Sequence, residues 1–121
     1  MAPYKRACQI IRIKPDRLDE YVQLHANAWP GVLATLERAH LKNYTIHHAA
    51  ELNLLIAHFT YVGDDWKGDC QKIAENEETQ RWWALTDGMQ ESLIEGATGS
   101  GGKKGWWLDL PEVFHFEGSK P

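Results

Sequence analysis

Residues 16–38 decide the fold: Asp16-Arg17-Leu18-Asp19-Glu20-Tyr21-Val22-Gln23-Leu24-His25-Ala26-Asn27-Ala28-Trp29-Pro30-Gly31-Val32-Leu33-Ala34-Thr35-Leu36-Glu37-Arg38. Leu18, Tyr21, Val22, His25, Trp29, Val32, Leu33 and Leu36 recur at helical spacing and form one apolar stripe. The charged Asp19, Glu20, Glu37 and Arg38 fall mostly off it. The stretch reads as an amphipathic helix, with Asp16 as its N-cap. Pro30 has no N–H and biases Trp29 away from helical dihedrals. A break is expected at Ala28–Trp29, with Pro30 opening a second helical piece. Tyr21 and His25, four apart, are neighbours on the inner face.

Working outward, residues 5–13 read as a strand rich in β-branched residues, stopped by Lys14-Pro15-Asp16. After the helix, residues 43–48 alternate, placing Tyr44, Ile46 and His48 on one face. Residues 49–53 make a polar turn, and 54–62 is the most strand-like run in the chain. Together they predict an antiparallel hairpin. Asp64 or Asp65 can cap a helix over 66–76, and a second helical piece is expected from about Glu77 to Leu93. Residues 96–105 form a glycine-rich loop without a phosphate-binding pattern and read as a flexible surface insertion. Residues 107–116 predict a last strand, with Pro111 marking an edge or a bulge.

The order is β-α-β-β-α-β over one domain, residues 1–121. That is the α+β, ferredoxin-like arrangement, with both helices on one face of a four-stranded antiparallel sheet. Apolar residues on both strand faces call for cover on the second face, and a second copy of the chain is the simplest cover. A homodimer packed through sheets or exchanged edge strands is expected.

Composition narrows the function. A net charge of −4 without a basic run argues against nucleic acid as a partner. Cys8 and Cys70 form no disulfide framework and no zinc spacing. No run reaches membrane-spanning length, and the first residues carry no secretory h-region. A cytoplasmic protein with reduced thiols, no membrane partner and no metal is expected. Six tryptophans are many for such a chain, so some are expected to line a cleft or an interface.

Four clusters carry chemistry: Tyr21/His25, Asn43-Tyr44, Arg81-Trp82-Trp83 and Glu112-Val113-Phe114-His115. A cleft between helices and sheet could collect all four, and the residues leave open whether Glu112 or His115 reaches it. Histidine exchanges protons near neutrality, and tyrosine and tryptophan suit a polyhydroxy ring. Each has a plainer reading. A lone histidine on an apolar face is more often a hydrogen-bonded core residue, and Tyr44 more often a core tyrosine. Trp82 and Trp83 lie about 100° apart on a helix, so one can be core and the other cleft wall. Glu112 alone reads as a solvated strand residue.

Tyr21-x-x-x-His25-x-x-x-Trp29-Pro30, Asn43-Tyr44, Asn53-Leu54-Leu55, Arg81-Trp82-Trp83 and Glu112-Val113-Phe114 together resemble the L-rhamnose mutarotase family, from about Arg6 to Phe116. The resemblance implies a dimeric ferredoxin-like α+β barrel-type fold. It also implies cofactor-free interconversion of the anomers of a small sugar, L-rhamnose or a related deoxy-sugar. His25 matches the family's proton donor; Tyr21, Tyr44, Trp82 and Trp83 match its sugar-contacting residues. Three features depart from the pattern: the longer glycine-rich segment 95–107, His58 on a strand, and positions flanking Tyr21. Two other readings stay open on the residues: a cofactor-free cyclase or monooxygenase of the same fold acting on an aromatic substrate, and a non-catalytic sugar-binding module.

Overall fold

The computed structural model describes residues 6–119. β1 (Arg6–Ile13) is central. β2 (Leu41–Ala49) and β3 (Leu54–Tyr61) form the expected hairpin. β3 pairs antiparallel with β1, Ala7 facing Phe59 and Ile11 facing Leu55. The far side of β1 carries β4 (Gln90–Glu91) and β5 (Leu108–Asp109), also antiparallel. The order β2-β3-β1-β4, with β5 also on β1, is the ferredoxin-like order. The first strand was expected to start at Lys5, which lies outside the described residues.

The fourth strand differs from expectation. It comes in two pieces: Gln90 and Glu91 pair with Ile13 and Arg12, and Leu108 and Asp109 pair with Ile10 and Gln9. Both pieces run the same way along one edge of β1, so residues 92–107 are an excursion from within one strand. The predicted strand over 107–116 shrinks to two residues. Leu110 still donates its N–H to the Cys8 carbonyl at 2.9 Å. Pro111 has no N–H to continue the ladder, and the chain beyond it is exposed.

The kink forms where the proline places it. α1 (Leu18–Ala26) and α2 (Pro30–Arg38) are separate helices, and Trp29 is extended at φ −72°, ψ 131°. Asp16 does not cap α1. Pro15 opens a 3-10 turn over Pro15–Arg17, so Asp16 is inside that turn and the capping position falls to Arg17, whose side chain does not cap. The start of α2 is capped from another helix: the Gly31 N–H donates to a Glu78 carboxylate oxygen at 2.8 Å. A Cβ on Gly31 would sit 2.4 Å from that carboxylate, so a side chain there would push the cap aside.

α3 (Trp66–Glu75) is capped by Asp65, which accepts from the Gly68 N–H. α4 (Glu77–Thr86) is capped by Asn76, which accepts from the Thr79 N–H at 2.8 Å and the Thr79 hydroxyl at 2.9 Å. α4 does not continue to Leu93. A 3-10 turn at Asp87–Met89 ends it, because Met89 and Gln90 are buried against β1 instead.

The helices cover one sheet face. Ala7, Ile11 and Ile13 of β1 and Leu55, Ala57, Phe59 and Tyr61 of β3 are buried there. Ile11, Ile13, Leu55, Met89 and Tyr21 form the main cluster, with Trp66 packed against a second around Phe59 and Tyr61. The alternate residues Cys8, Ile10, Leu54 and Ile56 face the other way and stay only half-buried. No helix among the described residues is long and apolar enough to cross a membrane.

Candidate active site

A cleft of about 970 Å³ lies between the helices and the covered sheet face. Tyr21, His25, Tyr44, Trp82 and Trp83 all line it. The helix breaks at Trp29 between α1 and α2, and Val22 and Leu33, 54% and 52% exposed, line the cleft.

His25 is held on three sides. Its Nδ1 lies 2.8 Å from the Tyr21 carbonyl oxygen one turn earlier. A carbonyl only accepts, so Nδ1 carries the proton and Nε2 keeps its lone pair. The Tyr21 ring lies 4.2 Å away between centroids, and Trp82 meets the imidazole edge-on at 5.0 Å. Trp82 is itself braced edge-on by Trp29 at 5.2 Å. Burial lowers the imidazole's pKa below the usual 6.5, and the bond to the Tyr21 carbonyl only partly offsets this.

Tyr21 is buried at 4% exposure. Burial raises its pKa well above 10, the neighbouring Tyr44 phenol raises it further, and a hydrogen bond from Gln90 opposes both. Tyr44 is pushed up to about 12 by burial although 38% of the residue stays exposed. Its ring stacks on Phe59 at 5.2 Å. Asn43 turns it there: this residue takes a left-handed φ of 54°, which asparagine tolerates, and the β2–β3 register shifts between Lys42 and Thr45. Trp82 is buried and Trp83 half-buried, and both adjacent indoles wall the cleft.

The fourth cluster is not part of the site. Glu112 forms a two-bond ion pair with Arg6, both contacts 2.9 Å, outside the cleft lining. His115 is exposed beyond it, and Arg81 is exposed on α4. Of the four clusters that one cleft could collect, this one brings together three, because pairing on that edge stops at Pro111. His58 faces Cys8 in register on the open sheet face, so this departure from the family pattern leaves the cleft untouched. Among the described residues no group of three or more His, Cys, Asp or Glu is placed to hold a metal ion.

The glycine-rich loop is not a free surface insertion. Ser100 donates its N–H to Asp87 at 2.9 Å and its hydroxyl to the same carboxylate at 2.5 Å. Ser100, Gly101 and Gly102 line the cleft, and a Cβ on Gly101 would lie 3.8 Å from the Trp83 ring. The sequence reading also missed Gln90 and Trp106. The Trp106 indole N–H donates to Gln90 Oε1 at 2.8 Å, and Gln90 Nε2 donates to the Tyr21 hydroxyl at 3.2 Å. Neither position belongs to a periodic pattern or a motif, so no local signal marked them.

With this geometry in place, the likeness to known proteins is direct. The family model described as L-rhamnose mutarotase matches residues 6–116. The chain belongs to the L-rhamnose mutarotase family. It is therefore an isomerase of the class acting on carbohydrates. It is 30% identical to the L-rhamnose mutarotase of Bacillus subtilis, over 93% of this chain and 99% of that one. It is 29% identical to that of Oceanobacillus iheyensis, with the same coverage. The crystal structure of an L-rhamnose mutarotase from Formosa agariphila superposes with a TM-score of 0.71 at 21% identity, covering 93% of this chain and 98% of that one. That likeness bears out the α+β fold.

Proposed function

We propose that this chain interconverts the α and β anomers of L-rhamnose or a related deoxy-sugar, with His25 moving the proton. The observation that carries the reading is the 2.8 Å contact from His25 Nδ1 to the Tyr21 carbonyl. It fixes Nε2 as the basic atom of an imidazole whose lowered pKa keeps it neutral at physiological pH. Nε2 takes the proton of the anomeric hydroxyl. The C1–O5 bond breaks as the carbonyl at C1 forms, and O5 leaves with the electron pair. The imidazolium returns the proton to O5. Rotation about C1–C2 presents the other carbonyl face, and the reverse steps close the ring. His25 ends as it began, and both half-steps are proton transfers that call for no metal or cofactor.

Tyr21 and Tyr44 have pKa values too high to give up their protons, so their role in this reading is hydrogen bonding to sugar oxygens. Trp83 supplies an apolar wall for the ring, and Trp82 holds the imidazole in place. General acid–base assistance of roughly 10²- to 10⁴-fold is sufficient for a reaction that already proceeds in water. Family membership does not favour an aromatic-substrate enzyme or a non-catalytic module. Saturation-transfer NMR across L- and D-sugars tests the reading. Faster anomeric exchange of L-rhamnose or a close relative supports it; a sugar that binds without acceleration, or none accelerated at all, overturns it.

A homodimer belongs to the same reading. Val113, Phe114 and Phe116 are 96%, 83% and 78% exposed, and each forgoes about 1.5–3 kcal/mol by staying in water. The half-open sheet face of Cys8, Ile10, Leu54 and Ile56 adds to that apolar surface. A second copy covering both accounts for their composition. Two unpaired cysteines suit a reducing cytoplasm.

A further inference from the structure

We propose that Gln90 and Trp106 are positioning residues that orient the Tyr21 hydroxyl so that it must donate its hydrogen bond into the cleft. The inference rests on the anomer-exchange reading. An indole N–H donates and never accepts. The Trp106 N–H, 2.8 Å from Gln90 Oε1, therefore fixes which end of that amide is oxygen. The NH₂ end then faces the Tyr21 hydroxyl at 3.2 Å. An NH₂ group only donates, so the hydroxyl accepts there and its own hydrogen must go elsewhere. Among the described residues nothing takes it, and Tyr21 lines the cleft.

The arrangement is rigid. Gln90 is 4% exposed and is held in the ladder opposite Ile13. Trp106 is held at the foot of the excursion, where the Ser92 hydroxyl donates to the Trp106 carbonyl at 2.5 Å. With the amide reversed, two donors would collide at Trp106, and the phenol would have to donate to Gln90. Nothing would then be left for the sugar. In ring opening, O5 gains negative charge as the C1–O5 bond breaks. A neutral phenol that donates into the cleft, on meeting that oxygen, stabilises the charge without surrendering a proton. The excursion thus has a function: it brings an indole donor back to the centre of the site.

Anomer exchange in Gln90→Glu, Trp106→Phe, Tyr21→Phe and the two double variants with Tyr21→Phe tests this, each checked by thermal melting. Gln90→Glu keeps the shape, but its carboxylate accepts from both neighbours and turns the phenol away from the sugar. The expected result is a fall in kcat of about tenfold or more with KM within about twofold. Trp106→Phe frees the amide and should lower kcat about threefold to fivefold, the scale of one lost orienting hydrogen bond. In a Tyr21→Phe background neither change should lower kcat further. Wild-type kcat in Gln90→Glu, or effects that multiply in the double variants, would overturn the proposal. If Gln90→Glu fails to fold, Trp106→Phe and its double variant decide. A wild-type protein that exchanges no sugar would instead overturn the functional reading itself.

Discussion

His25 as a core residue and His25 as a proton carrier predict different failures. His25→Gln keeps hydrogen bonding but cannot titrate near neutrality. The folded variant should bind sugar nearly as well as wild type while exchange falls about 10²-fold or more, measured by NMR line shape and saturation transfer. Retained exchange would make His25 structural. Because the base must be neutral and burial lowers its pKa, the acid limb of kcat/KM should lie at lower pH than that of an ordinary imidazole, and a limb at or above pH 6.5 would contradict the reading. Asp69 gives a second pH effect, on stability. It accepts from Tyr61 at 2.5 Å, His40 at 3.0 Å and Lys72 at 3.3 Å, and these bonds lower its pKa to about 2. Folded below its ordinary value, it contributes stability present in full above about pH 4 and lost as pH falls toward 2. Melting temperature should drop across that window, and Asp69→Asn should flatten the drop. Tyr21 and His25 were legible in the sequence because four residues on a helix make neighbours. Gln90 was not, because its partner Tyr21 is 69 positions away.

At the scale of elements, local chemistry was the readable part. Pro30 placed the kink, Asp65 was one of two caps foreseen for α3, and alternation placed the β2–β3 hairpin. The fourth strand was not readable, since two-residue pieces carry no periodicity and are extended only because β1 pairs with them. The glycine-rich loop misled for a related reason. Its composition signals flexibility, while its two bonds to Asp87 come from a residue outside the loop. Asp87→Ala should therefore speed hydrogen exchange at the Ser100 amide. It should raise KM about fivefold, the equivalent of one hydrogen bond of about 1 kcal/mol, with little change in kcat. An unchanged KM would show that the loop does not wall the occupied cleft.

For the whole molecule, periodicity, caps and turn residues made the order legible up to the fourth strand, whereas the assembly depends on surfaces that no single chain explains. Light scattering should give a dimer at micromolar concentration, and Phe114→Asp combined with Phe116→Asp should give a folded monomer. A wild-type monomer with full activity would remove the dimer from the reading. The split fourth strand also has a consequence for biosynthesis. Gln9 meets Asp109 across 100 positions and Arg6 meets Glu112 across 106. Such non-local pairing is slow to form. While the chain is being made, β1 can dock on β3, but its other edge stays bare until residues 90–109 have emerged. A nascent chain halted at Met89 would carry an unprotected strand edge and no Gln90, so it would be prone to clump with other incomplete copies before it could recognise any ligand.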